Sequence, residues 1–309
     1  MGARIFADGL AFPEGPVALA DGSVLVVEVR GGALTRCLPD GGRRRIAKLD
    51  GGPNGAAIGA DGACYLCNNG GFSWGEHNGI IRPTGVPDDY EGGWIERVDL
   101  ATGAVSRLYE GFGEQRLRGP NDIVVDANGD LWFTDMGKRR ARSVDLGSIC
   151  FARADGSEIR EVVTPMLTPN GIALSPDGRT LYAVETDAAR IWAWDIEAPG
   201  QLARQPFPSP NGARMLYASP FFTKFDSMAV EAGGNLCVAS FMQGGICVLS
   251  PQGELVEFVP ISQDWFVTNI CFGGPDLRKA YITLSGQGQV FEMDWPRPGL
   301  RLNFQALQG

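Results

Sequence analysis

Thr168-Pro-Asn-Gly-Ile-Ala-Leu-Ser-Pro-Asp-Gly-Arg-Thr-Leu-Tyr-Ala-Val-Glu185 reads as one unit of structure. Ile172 to Leu174 is a short apolar strand. Pro176-Asp177-Gly178 carries turn chemistry, with proline presetting φ and glycine accepting the positive φ that a Cβ resists. Leu181 to Val184 is a second apolar strand, closed by Glu185. The unit is a β-hairpin with two buried strands.

The same unit occurs six times, headed by Glu14, Asn54, Asn121, Asn170, Asp226 and Asn269. The spacings are 40, 67, 49, 56 and 43 residues. Each hairpin is followed by a second pair of strands, such as Arg190-Ile-Trp-Ala-Trp-Asp195 and Leu255-Val-Glu-Phe-Val259. A repeat of this length made of short strands cannot bury both faces alone and must stack around an axis. The expected fold is all-β: a six-bladed β-propeller with four-stranded antiparallel blades, residues 1–309 forming a single domain. The strand at Arg4-Ile-Phe-Ala7 is expected to close the ring beside 289–294 or 300–304, which removes an exposed edge. Helix-period segments are absent. If the strand heading each repeat lies nearest the axis, the six heading side chains converge at one mouth of the channel. They form a ring of oxygen donors with two carboxylates.

Composition narrows the partners. With 27 basic and 36 acidic residues the net charge is −9, which argues against nucleic acid or an anionic membrane. Arg43–Arg45 and Lys138–Arg140 are expected as solvated loop faces. No apolar run approaches the length of a membrane span, and Met1 to Asp8 lacks the apolar core of a signal peptide. The seven cysteines lie mostly in apolar strand patterns, and free core thiols suit a reducing compartment, so the cytoplasm is expected. Cys64 and Cys67 have C-x-x-C spacing, but in a strand they point to opposite faces. The chain is expected to be a monomer or a weak homo-oligomer. Two long segments stand out. One, about Asn69 to Gly93, is placed over the mouth as a lid; the other, Arg204 to Lys224, is assigned to the fifth blade.

Phe12-Pro-Glu-Gly-Pro16, Gly119-Pro-Asn-Asp-Ile-Val-Val-Asp126 with Gly129-Asp-Leu-Trp-Phe-Thr-Asp135, Pro169-Asn-Gly-Ile-Ala-Leu-Ser175, Phe225-Asp-Ser-Met-Ala-Val-Glu231 and Asn269-Ile-Cys-Phe-Gly-Gly-Pro-Asp-Leu277 carry a family likeness. In this order and spacing the sequence resembles the family of regucalcin, the gluconolactonases and the sugar-acid lactonases. That resemblance implies one divalent cation in the channel, held by residues matching Glu14, Asn170 and Asp226. Asn121 contacts substrate or joins the metal sphere. Two positions depart from the pattern: Ser227 stands where the fifth-blade motif has glycine, and Arg118 where similar sequences have asparagine.

Two carboxylates with amide oxygens make a hard oxygen site. Ca²⁺ leads, with Mg²⁺, Mn²⁺, Fe²⁺ or Zn²⁺ compatible. The single histidine, His77, excludes His₂ and His₃ metal sites and argues against a Ser-His-Asp triad. The expected chemistry is metal-dependent hydrolysis of a small lactone of the sugar-acid type, through a polarised carbonyl and an activated water. Asp226 is the candidate proton acceptor. Asn121, Arg118, Trp74 and His77 are candidate substrate contacts, while Asn54 and Asn269 are read as turn residues. The alternatives are an esterase or phosphotriesterase on the same propeller, or a non-catalytic calcium-binding scaffold.

Overall fold

The structure, a computed structural model, describes residues 2–261 and 265–305. Six antiparallel sheets of four or more strands follow one another along the chain. Their innermost strands are Pro13–Ala18, Pro53–Ile58, Pro120–Val125, Pro169–Leu174, Lys224–Val230 and Val267–Gly273. Each begins within two residues of a repeat head, so the six heads sit at the same end of the ring.

The apolar residues fall into six buried clusters, one between each pair of neighbouring blades. Between blades 3 and 4, for example, Trp132, Ile149 and Phe151 pack against Ile172, Leu181, Trp192 and Trp194. Both faces of every middle strand are therefore buried, which is why these strands read as continuous apolar runs. Ring closure uses the first strand: Ala3–Ala7 pairs antiparallel with Gln289–Asp294 as the outermost strand of blade 6. Of the two expected partners it takes the first, while residues 300–302 form no strand.

Two features aim the repeat heads. The first is a break in strand register. In blades 1 to 5 it falls immediately around the head: between Glu14 and Val17, Pro53 and Ala56, Pro120 and Ile123, Pro169 and Ile172, and Phe225 and Met228. A bulge releases its residues from the ladder and redirects a side chain. Blade 5 keeps the break although it carries Ser227 in place of glycine. The second feature is the polar residue that ends each hairpin. Glu28 accepts from Ala11 N, Asn68 from Gly52 N, Asp135 from Arg118 N and Gly119 N, and Glu185 from Leu167 N. The hairpin end thus clamps the connection that leads into its own innermost strand, a few residues before the head.

Three expectations need correction. Arg43–Arg45 are exposed but lie on the outer strand of blade 1, Arg43–Lys48, rather than in a loop. Lys138 is not solvated: it is 1% exposed. The segment 204–224 belongs mostly to blade 4, because Arg214–Ala218 pairs with Arg190–Ala198 as that blade's outer strand. All seven cysteines are buried and free, and Cys64 and Cys67 join different interblade clusters. Among the described residues no helix is long and apolar enough to cross a membrane.

Candidate functional site

Glu14 and Asp226 face one another's charge across the channel, and Asp122 lies within electrostatic reach of both. Glu14 is 4% exposed. Its Oε2 accepts from its neighbour Gly15 N at 2.9 Å and from Asn269 Nδ2 at 3.0 Å. The Thr268 hydroxyl also bonds it. Asn269 is therefore more than a turn residue, since it holds the carboxylate of the next blade. Asn170 hydrogen-bonds Asp226. Thr134 ties blade 3 to blade 4, accepting from Asp122 N at 3.2 Å and donating to the Asn170 carbonyl at 2.7 Å. Ser227 Oγ stands between Asn170 Oδ1, at 3.4 Å, and the Asp122 carboxylate. One hydroxyl proton serves only one acceptor, and the longer contact is the weaker.

Burial pushes all three carboxyls above their ordinary range. For Glu14, burial outweighs the hydrogen bonds from Thr268, Asn269 and Gly15. For Asp226, burial acts first and the Glu14 charge second, against the hydrogen bond from Asn170. For Asp122, burial again leads and the Glu14 charge adds, bringing it to about 7. No lysine or arginine hydrogen-bonds to any of them among the described residues. Lys224, two residues before Asp226, feels its charge, but its ammonium is engaged by Asp187 at 2.9 Å.

This uncompensated negative charge fits a hard cation that prefers oxygen. The fit rests on carboxylates combined with amide oxygens. Among the described residues no three His, Cys, Asp or Glu side chains converge tightly enough to hold an ion by themselves. Asp122 escaped the sequence reading, yet it had a signal. The residue after each head is Gly15, Gly55, Asp122, Gly171, Ser227 and Ile270, and only one of these is acidic. Glycine there allows the next blade to come close: a Cβ on Gly171 would lie 2.7 Å from the Asp226 carbonyl oxygen.

The other expected site residues divide. Asn121 is buried in the ring with its Nδ2 3.4 Å from Met136 Sδ. Arg118 turns its guanidinium to the rim, 3.5 Å from Asp145. Trp74 packs on Phe12 at 5.0 Å, two residues before Glu14. His77 stands exposed at the tip of a hairpin, Ser73–His77 and Ile80–Gly85, joined by Asn78-Gly79. The Asn-Gly pair, both at positive φ, is the sequence signal for this hairpin, which lies inside the segment read only as a lid. The hairpin leaves blade 2 and packs over blade 1 through Trp74, Ile80 and Ile81. It reaches the helical turn Ser285–Gln287 of blade 6. It thus roofs one side of the mouth.

Lys138 anchors the base of this roof. Its Nζ donates to Gly71 O at 2.7 Å and to Asn69 Oδ1 at 3.2 Å, and lies 4.3 Å from the Phe72 ring and 5.0 Å from the Tyr90 ring. Two hollows complete the site. One, about 380 Å³, rises from the opposite end of the ring, past the turns at Asp126–Asn128 and Ser175–Gly178, to Asp122. The other, about 750 Å³, lies at the hairpin tip between His77, Ile80, Met242, Trp265 and Phe266.

A family model described as the SMP-30/gluconolactonase/LRE-like region matches residues 12–286. A gluconolactonase of Zymomonas mobilis is 22% identical over 87% of this chain and 75% of its own length. Lactonase drp35 of Staphylococcus saprophyticus is 27% identical over 75% of this chain and 64% of its own. Among solved structures, a gluconolactonase of Xanthomonas campestris superposes with a TM-score of 0.74 at 23% identity, covering 95% of this chain and 89% of the other. A calcium-binding regucalcin of Agrobacterium tumefaciens gives 0.73 at 20% identity, covering 97% and 98%.

Proposed function

The chain belongs to the SMP-30/gluconolactonase/LRE-like family, and from that premise we propose that it hydrolyses a small lactone with one divalent cation bound at the channel mouth. The observation that carries this reading is the set of three carboxyl groups at the head of the innermost strands, Glu14 and Asp122 buried and Asp226 half-buried, each within reach of another's charge. Glu14, Asn170 and Asp226 would hold the ion, with Asn121 beside them. Ca²⁺ is the leading ion for an oxygen set of this kind. When bound, the ion supplies Lewis acidity toward the lactone carbonyl and lowers the pKa of water.

The chain's own residues supply the rest. Asp226 is the half-buried member of the set and is positioned to take a proton from the attacking water. Water's oxygen bonds to the carbonyl carbon, the ring C–O bond breaks, and the ring oxygen leaves as an alcohol with a proton. Asn269 and Thr268 hold Glu14 in place, so Glu14 acts as a ligand rather than a base. The Asn121 amide is the donor available to the oxyanion that forms at the carbonyl. Trp74, His77 and Arg118 border the mouth on the hairpin and blade 3 sides. A sugar-acid lactone presents the reacting ring this chemistry requires.

Asp226→Asn tests the reading. It preserves shape, and hydrolysis of a lactone panel is expected to fall at least 100-fold while the far-ultraviolet circular dichroism stays unchanged. Full activity in this variant would remove Asp226 from the chemistry, whereas a wild type that hydrolyses no lactone with cation present would favour the esterase or scaffold alternatives.

A further inference from the structure

We propose that the hollow at the hairpin tip receives an apolar substituent of the lactone, an alkyl or aryl group, so that the preferred substrates are apolar lactones rather than polyhydroxylated ones. The inference rests on the lactonase reading and names its substrate class.

The hollow is tied to the carboxylates on two sides. Phe266 lines it, and three residues on, Asn269 donates to Glu14 at 3.0 Å. Met242 to Gly244 line the other wall, and Gln243 accepts from Ser240, whose hydroxyl meets that of Thr223, three residues before Asp226. A group seated here is thus flanked by blade 6, whose innermost strand carries the Asn269 that holds Glu14, and by blade 5, whose innermost strand carries Asp226.

The walls are apolar where they meet the ring. Phe266 packs tilted against Phe241 at 4.5 Å and edge-on to Phe12 at 5.8 Å, and Phe12 in turn meets Trp74. At the lip, Trp265 is 52% exposed and Met242 38%, and Ile80 faces them from the hairpin. Phe221 and Phe222, in the connection that enters blade 5 at this same end, are exposed as well. Large apolar side chains left open at the lip of a hollow mark a place where a ligand covers them. The polar lining residues His77, Asn78 and Arg82 come from the hairpin, so a polyol chain seated against Phe266, Met242 and Ile80 meets side chains with no donor to offer and loses hydrogen bonds it makes with water. An alkyl chain gains burial instead, about threefold in kcat/KM for each methylene.

The test is a series of γ-lactones with ethyl, butyl and hexyl substituents, set beside gluconolactone, with the cation present. For the wild type, kcat/KM is expected to rise about tenfold from ethyl to butyl and to exceed that for gluconolactone. In Trp265→Ala and Ile80→Asp the rise with chain length is expected to shrink, mainly through KM. Preference for gluconolactone, or the same chain-length dependence in both variants, would overturn the proposal. Should no lactone be hydrolysed, the lactonase reading fails separately. The hollow is then judged by calorimetric binding of the matching alkyl lactams: affinity that grows with chain length and drops in Trp265→Ala upholds it, and chain-length-independent affinity refutes it.

Discussion

Replacing Lys138 with methionine is expected to abolish a rise in stability between pH 7 and pH 10. The Lys138 ammonium sits in a nearly dry pocket of Asn69, Gly71, Phe72 and Tyr90. Burial is the largest influence on it and Arg140 acts the same way; Asp135 and Asp145 oppose them; together they bring Lys138 from 10.5 down to about 7. Because the folded pKa lies below the unfolded one, the unfolded chain holds more protons between the two values, and stability rises with pH across that window. A drop from 10.5 to about 7 corresponds to about 5 kcal/mol. The two rings favour the charged form by about 1–2 kcal/mol, so about 3 kcal/mol is the expected net gain. Tyr90 is itself held up at about 12 and stays protonated throughout. Methionine keeps the stem and removes the proton. Guanidinium unfolding of both proteins at pH 7 and pH 10 reads the effect as a change in midpoint at constant slope. The wild type should gain about 3 kcal/mol more than Lys138→Met over this interval. An equal gain in both would show that the ammonium is hydrated, and that the roof is not pinned in the way described.

The other expectations concern the mouth. With the cation chelated, Asp122 carries a folded pKa of about 7 against 3.8, so stability should fall as pH rises from 4 to 7. Asp122→Asn should flatten that fall, and divalent cation should offset it in the wild type, both read by calorimetry. Gly171→Ala places a Cβ 2.7 Å from the Asp226 carbonyl oxygen and 2.8 Å from the Ser227 Cα. Neither backbone atom moves cheaply, so a loss of about 1–3 kcal/mol in stability is expected, with weaker cation binding by titration calorimetry. Trp74→Ala removes the ring on Phe12 and should raise KM for lactones more than it lowers kcat, since it loosens the roof and leaves the carboxylates in place.

The propeller was legible because its signal is repeated. Six hairpins with turn chemistry at one offset fix both the strands and the end at which the heads lie. Closure by the first strand followed from the need to cover an edge. The hairpin 73–85 was missed because Trp74, Ile80 and Ile81 lie among glycines and prolines, and its partners in blades 1 and 6 are remote in sequence. Lys138 was misread because Lys138-Arg139-Arg140 has the composition of a solvated face. Only the fold brings Phe72 and Tyr90 over its ammonium. Arg214–Ala218 was assigned to the wrong blade because a long connection, 199–213, separates it from the strand it pairs with. Asp122 was overlooked because the residue after a repeat head is elsewhere glycine or another uncharged residue. A carboxylate there becomes meaningful only once the neighbouring blades bring Glu14 and Asp226 within reach. Apolar side chains around the mouth were visible as composition, but their gathering on one side depends on loops from blades 2, 5 and 6.

The most direct test of the proposed site is lactone hydrolysis by chelator-treated protein, with Ca²⁺, Mg²⁺, Mn²⁺, Fe²⁺ and Zn²⁺ returned one at a time to the wild type and to Glu14→Gln. Restoration by at least one ion in the wild type, with a much higher concentration of that ion needed in Glu14→Gln, is the expected result. Hydrolysis that persists in chelator, or that depends on the ion equally in both proteins, would contradict a cation held at the mouth by the innermost strands.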